Sequence, residues 1–136
     1  VTVTELLSGE CVKNLNKAAN MKKGHFYVCP VCGNVIYSVG EGVFSCCGIS
    51  LPPLETEETD ECHKISVEKV ENDYYITLDH PMTKEHYISF FAYVTISSIY
   101  IKKLYPEQEP CVRIPMLGKG TIYAYCNRDG LLDIKV

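Results

Sequence analysis

The sequence has no apolar run of the roughly 20 residues that a membrane-spanning helix needs, so we expect no membrane span. It also has no excess of basic side chains, since 13 Lys and Arg stand against 17 Asp and Glu for a net charge of −4. A chain with this balance lacks the excess positive charge that binds the phosphate backbone of a nucleic acid. Residues 1–20 show no basic segment followed by an apolar core, as a secretory signal would. We therefore expect a cytoplasmic protein without nucleic-acid or membrane partners.

Cysteine is abundant, with eight in 136 residues, alongside four histidines. Such a count indicates disulfides in a secreted chain and metal ligation in a reducing compartment, and the spacing decides between them. Cys29 and Cys32 form a C-x2-C pair, and Cys46 and Cys47 are adjacent. Four thiolates suit tetrahedral zinc or a single iron. C-x2-C alone favours a structural zinc knuckle, but two adjacent cysteines on one metal are uncommon in zinc ribbons.

Composition divides the chain into four segments. Residues 1–24 have loosely helical apolar spacing and predict a short helix, which Gly9 interrupts. Residues 25–51 hold the spaced cysteines, and the proline-rich, acidic residues 52–61 are typical of an extended linker. Residues 62–136 alternate apolar and polar side chains in short segments, which predicts an antiparallel β-sandwich. The predicted strands are Lys64–Val70, Tyr74–Asp79, His86–Val94, Ser98–Leu104, Val112–Pro115 and Thr121–Cys126.

Three histidines and one cysteine lie at the ends of these predicted strands. Each shares the alternation of apolar residues in its own strand: His63 with Ile65, His80 with Leu78, His86 with Ile88, Phe90, Ala92 and Val94, and Cys126 with Ala124. A lone histidine in such a place is more often a core residue than a ligand. Because all four share this placement, a joint site at one end of the sandwich is the better hypothesis.

Two stretches resemble known iron proteins. The run YVCPVCGNVIYSVGEGVFSCCG resembles the iron-binding desulforedoxin module. The run HPMTKEHY from His80 to Tyr87, with His63 before it and Cys126-Asn127 after it, resembles the iron domain of the desulfoferrodoxin, or superoxide reductase, family. The resemblance implies a mainly β fold, in which a desulforedoxin-like knuckle precedes an immunoglobulin-like antiparallel β-sandwich. It also implies a homodimer.

The resemblance further implies two mononuclear sites. Cys29, Cys32, Cys46 and Cys47 would hold one iron, with zinc as the other metal they accept. His63, His80 and His86 would bind a second iron in a plane, and Cys126 would bind it axially. The implied activity is the reduction of superoxide to hydrogen peroxide in an anaerobe or microaerophile. A rubredoxin-type protein would donate electrons, and the four-cysteine iron would relay them or stabilise the fold.

Two positions depart from the family's pattern. Asp129 stands where the family has a fourth histidine. Three roles are open for it: it ligates iron through oxygen, it leaves that position to water, or it forms an Asx turn before Gly130. Cys62 stands where the family has a lysine between a glutamate and a histidine. Glu61 matches the glutamate, a candidate ligand of the oxidised iron, and Lys64 or Lys84 is a candidate replacement for the missing charge.

These departures keep a second hypothesis open. In it the chain is a catalytically silent relative that acts as a metal-binding, redox-sensing or interaction module, because Asp129 replaces the expected histidine. Cys11 and Cys111 have no partner at motif spacing, and we assign them no function.

Overall fold

The computed structural model of the protein describes residues 21–40, 42–57 and 64–136. The predicted N-terminal helix lies outside these residues except at its end, where Met21–Lys23 form a 3-10 helix. Glu61, Cys62 and His63 also lie outside them. Within the described part of the chain, no helix is both long and apolar enough to cross a membrane.

The described residues form eleven strands, and every pair of strands is antiparallel. This confirms the mainly β expectation. The strands are β1 His25–Val28, β2 Val35–Ser38, β3 Phe44–Cys46, β4 Ile49–Leu51, β5 Ile65–Val70, β6 Asp73–Leu78, β7 Ile88–Val94, β8 Ile99–Lys103, β9 Cys111–Pro115, β10 Thr121–Cys126 and β11 Gly130–Lys135.

Strands β5 to β11 form the predicted sandwich. One sheet has the order β5-β6-β9 and the other the order β11-β10-β7-β8, so the chain changes sheet after β6, β8 and β9. Strands β6 and β10 bury every second side chain, as their sequence alternation predicts. Those buried residues, from Tyr74 to Leu78 and from Ile122 to Cys126, lie in the core between the sheets. β11 was not among the predicted strands, and His86 and Tyr87 precede β7 rather than belonging to it.

Strand β7 is buried along its whole length because both of its faces are covered. Ile88, Phe91 and Tyr93 lie in the core of the sandwich. Phe90, Ala92 and Val94 lie in a second cluster outside the sheet. A β-bulge causes the change of face, since Cys126 pairs with Ile88 but Tyr125 pairs with Phe90, which leaves Ser89 as the extra residue. The predicted alternation of His86 with Phe90, Ala92 and Val94 is therefore wrong.

The second cluster joins the hairpin β1-β2 to the outer face of the four-stranded sheet. Phe26 is 2% exposed, and its ring lies 5.3 Å from the rings of Phe90 and Tyr123, measured between centroids. The segment after β4 follows the same face, because the amide of Leu54 donates to the carbonyl of Phe26 and Thr56 forms a bridge with Leu131. The hairpin β1-β2 and the sandwich thus share an apolar cluster, whereas β3 and β4 pack against β1 in a separate, smaller cluster.

Candidate metal centres

A tight hairpin turn presents the two adjacent cysteines. Cys46 pairs with Ile49 across β3 and β4, so the loop consists of Cys47 and Gly48 alone. Both have positive φ, 53° and 74°, as a two-residue type I′ turn requires. Glycine adopts this conformation freely, whereas a cysteine does so at a cost in backbone strain. Strain at Cys47 is typical of a residue held in place for its side chain.

The C-x2-C pair lies on a second turn. The amide of Gly33 donates to the carbonyl of Cys29, and the amide of Cys29 donates to the carbonyl of Asn34. Gly33 has φ 75°, which reverses the chain directly after Cys32. Cys29 is 1% exposed, whereas Cys32 is exposed. The turn therefore places one thiol inside the segment and the other at its surface.

The two turns bring four thiols together, and we call Cys29, Cys32, Cys46 and Cys47 the four-cysteine group. Their sulfurs all lie within 4.8 Å of one another. Cys46 Sγ is 3.5 Å from Cys32 Sγ and 3.9 Å from Cys47 Sγ. A tetrahedral ion with metal–sulfur bonds of about 2.3 Å needs sulfurs about 3.8 Å apart. The donor set and its spacing fit such an ion.

The thiols of the four-cysteine group differ in pKa. A hydrogen bond from the backbone of Cys32 lowers the pKa of the Cys29 thiol to about 7. Contacts with the neighbouring thiols, that of Cys32 first, raise the pKa of Cys47 to about 12. Thiolates this close repel one another, so a bound cation is what would let all four deprotonate.

A second set of donors converges at the end of the sandwich, and we call His80, His86, Cys126 and Asp129 the sandwich group. One ligand atom from each lies within 4.8 Å of the others. The hairpin between β10 and β11 supplies Cys126 and Asp129, because Cys126 pairs with Gly130 across only three loop residues. The segment between β6 and β7 supplies both histidines. These four are the predicted ligands of the second site that the structure brings together among the residues it describes.

His80 and Cys126 form the buried side of the sandwich group. The His80 side chain is 0% exposed, and its Nδ1 lies 2.6 Å from the carbonyl oxygen of Pro81. With Nδ1 donating to that carbonyl, Nε2 is left to face the other donors. Cys126 is also 0% exposed, and its burial raises the pKa of its thiol.

The carboxylate of Asp129 contacts the other three members of the group. Its Oδ2 lies 2.8 Å from His86 Nε2, 3.7 Å from His80 Nε2 and 3.2 Å from Cys126 Sγ. The backbone amide of Asp129 also donates to Cys126 Sγ at 3.3 Å. A residue at the position of the family's fourth histidine thus directs an oxygen at the point where the donors meet.

Two residues that were not among the predicted site residues support the sandwich group. Thr83 Oγ1 accepts a hydrogen bond from the amide of His86 at 3.1 Å. Asn127 Oδ1 accepts one from the amide of Tyr87, and Asn127 Nδ2 donates to the carbonyl of Glu85, both at 2.9 Å. A threonine three residues before a candidate ligand is a sequence signal of such a support, whereas the partners of Asn127 lie about 40 residues away and have no such signal.

Of the other predicted site residues, three lie outside the described residues and two are exposed lysines. Glu61, Cys62 and His63 belong to the segment that the structure does not describe. Lys64 is exposed and directly precedes β5, and Lys84 is exposed in the segment between β6 and β7.

A cleft of about 440 Å³ lies beside two members of the four-cysteine group. Cys29 and Cys32 line one part of it, and Tyr87, Tyr125 and Asn127 line another. Tyr87 directly follows His86 and Asn127 directly follows Cys126, so the cleft is lined by two of the four cysteines and by sequence neighbours of two members of the sandwich group.

Comparison with known proteins gives several relatives, although no protein-family model matches the chain. The chain is 32% identical over 114 residues to a desulfoferrodoxin homolog of Archaeoglobus fulgidus, an alignment that covers 77% of this chain and 91% of that protein. It is 28% identical over 113 residues to the desulfoferrodoxin of Desulfarculus baarsii, with coverage of 76% and 90%. The crystal structure of the superoxide reductase from Treponema pallidum superposes with a TM-score of 0.72 at 21% identity, covering 82% of this chain and 97% of that one. The structural likeness confirms the fold.

Proposed function

This chain belongs to the desulfoferrodoxin family, and we propose that it reduces superoxide to hydrogen peroxide at a mononuclear iron site at the end of its sandwich. The observation that carries the proposal is the convergence of His80, His86, Cys126 and Asp129 within 4.8 Å. Imidazole, thiolate and carboxylate together suit iron. His63, two residues before β5, completes the proposed ligand set.

The chain's own residues would hold the metal and set its electronic surroundings. Bound iron would supply the single electron that superoxide needs, and two protons would complete hydrogen peroxide. With iron bound, Cys126 would ligate as a thiolate and supply electron density, and the backbone amide of Asp129 would moderate that supply through its hydrogen bond to Sγ. Glu61 is the proposed ligand of the oxidised state, and Lys64 the proposed positive charge that attracts the superoxide anion.

We propose that the four-cysteine group holds a second metal. Iron there would pass electrons toward the sandwich group or stabilise the fold, and zinc would do only the latter. The cleft lined by Cys29, Cys32 and Asn127 supports a relay, because it brings one group's cysteines close to the surroundings of the other. The proposed electron donor is a rubredoxin-type protein, and we propose a cytoplasmic homodimer.

The test is to measure superoxide consumption and hydrogen peroxide release by the purified, iron-loaded protein. We expect one peroxide for each superoxide consumed, and no oxygen release beyond the uncatalysed background. Cys126→Ser should abolish the activity, because it removes the only thiolate of the sandwich group, while Cys111→Ser is a matched control outside both groups. Equal rates in wild type and Cys126→Ser would refute the proposal.

Asp129 supports a second candidate function, that of a catalytically silent metal-binding or redox-sensing relative. Its carboxylate occupies the position at which the family has a histidine, and fold alone does not carry activity across a changed ligand. Asp129→His distinguishes the two functions. If the wild type is inert and Asp129→His gains superoxide reduction, the silent function is correct, whereas an active wild type excludes it.

A further inference from the structure

The candidate ligand His86 lies on a segment that the strand ladders do not hold. β6 ends at Leu78 and β7 begins at Ile88, so His86 has no strand partner of its own. The ladder is also irregular directly beside it, where the bulge at Ser89 interrupts the pairing of β7 with β10. Hydrogen bonds from elsewhere must therefore fix where its imidazole lies.

The side chain of Asn127 supplies such bonds on both sides of His86. Its Oδ1 accepts from the amide of Tyr87 at 2.9 Å, and its Nδ2 donates to the carbonyl of Glu85 at 2.9 Å. Its own amide donates to the carbonyl of Tyr87 at 3.2 Å. The two side-chain bonds use both ends of the carboxamide, so an isosteric group without a donor or without an acceptor cannot make them both.

The same short turn carries two other members of the sandwich group. Asn127 directly follows Cys126 and precedes Asp129 by two residues. A displacement of this turn would thus move the thiol of Cys126 and the carboxylate of Asp129. Because Asn127 is hydrogen-bonded to the residues on both sides of His86, that segment would move with them. Supporting residues of this kind usually change metal affinity by about 10-fold to 100-fold when they are replaced.

We propose that Asn127 is a positioning residue that sets the place of His86 relative to Cys126 and Asp129. The inference rests on the proposed function in that it takes the sandwich group as the metal site. Asn127 does not touch the metal in this account. It acts through the backbone of residues 85–87, and Thr83 holds His86 itself from the other side through its hydroxyl.

The experiment compares wild type, Asn127→Ala and the control Asn72→Ala, an exposed asparagine in the turn between β5 and β6. In the oxidised, iron-loaded protein, Asn127→Ala should shift the thiolate-to-iron band of the sandwich site and weaken its iron binding by about 10-fold or more. The band of the four-cysteine site is the internal reference and should not move. Asn72→Ala should match the wild type in both bands.

A second readout needs no metal. In the metal-free protein, exchange of the Tyr87 amide should become about fivefold faster in Asn127→Ala, since its acceptor is lost and a net hydrogen bond is worth about 1 kcal/mol. Asn127→Asp keeps an acceptor for that amide and loses the donor to Glu85, so Tyr87 should stay protected while the iron band still shifts. This variant also serves if Asn127→Ala does not fold.

The outcomes separate the two proposals. Failure of the wild type to take metal at the sandwich group would refute the proposed function, while Tyr87 exchange would still test Asn127. An unshifted band with unchanged iron affinity in both Asn127 variants would overturn the positioning role. Unchanged Tyr87 exchange in Asn127→Ala would overturn it as well.

Discussion

At the scale of single residues, Asp129 is the position that most distinguishes this chain from the pattern it otherwise follows. The sequence leaves open whether Asp129 ligates, yields to water or caps a turn. In the structure its Oδ2 lies within 3.7 Å of donors from His80, His86 and Cys126. This arrangement supports ligation through oxygen, and it places a negative charge where the family has a neutral imidazole.

Asp129→Asn tests the effect of that charge. The amide keeps the size of the carboxylate and removes its charge, which otherwise favours the ferric state. We therefore expect the reduction potential of the sandwich iron to rise by tens of millivolts, where about 59 mV is a tenfold change for one electron. Potentiometric titration of the visible band measures this shift. A constant potential would show that Asp129 does not interact with the metal, and a fall would contradict the expected effect of its charge. Asp133→Asn on β11 is the matched control.

At the scale of elements, the turn Cys46-Cys47-Gly48 shows how backbone geometry positions ligands. Gly48→Ala should destabilise the protein by about 1–2 kcal/mol, because alanine at positive φ is strained while its Cβ would meet nothing within 4 Å. Gly40→Ala is the matched control, since Gly40 has equally open surroundings and no positive φ. It should be neutral or slightly stabilising. Denaturant unfolding measures both, and equal stability of the two variants would contradict the type I′ assignment.

Strand alternation predicted most of the sandwich and failed where the ladder is irregular. β6 and β10 alternate cleanly, so the buried sides of Leu78 and Cys126 follow from the sequence. β7 is apolar on both faces, because one face meets the other sheet and the other meets Phe26. An alternation argument cannot detect the bulge at Ser89 in such a strand.

Strand alternation also fails to predict where some strands lie and which residues hold the site in place by hydrogen bonds. β11 has two consecutive leucines after Gly130 and lacks clear alternation, so its pairing with β10 is not evident from the sequence Gly130–Lys135 alone. The spacing of the cysteines indicates a four-thiol metal site, and the structure brings Cys29, Cys32, Cys46 and Cys47 together. The hydrogen bonds of Asn127 join residues about 40 positions apart, and no local pattern predicts such contacts.

At the scale of the whole molecule, the two candidate centres belong to parts of the chain that share a core. Phe26 of β1 is the clearest link, since its ring contacts both Phe90 and Tyr123 of the sandwich sheet. A hairpin fixed in this way would keep the four-cysteine group at a constant place relative to the sheet. That is a condition for any exchange of electrons between two centres in one chain.

Phe26→Ala measures the strength of this link. Removing a buried phenylalanine side chain costs about 3–5 kcal/mol in a well-packed core, and Phe26 is 2% exposed. Val43→Ala is the control, because Val43 is 93% exposed and its truncation should change stability by less than about 0.5 kcal/mol. Denaturant unfolding at matched metal content gives both values. A loss below about 1 kcal/mol for Phe26→Ala would mean that the hairpin is only loosely attached.

The central claim, that the chain holds two metal centres of which the sandwich one is an iron–thiolate site, is tested most directly by its metal content and visible spectrum. The protein is purified without oxygen, its iron and zinc are counted per chain, and its spectrum is recorded before and after mild oxidation. We predict about two metals per chain, with a thiolate-to-iron(III) band that appears on oxidation and is absent from Cys126→Ser. One metal per chain with only the four-thiolate signature would contradict the account.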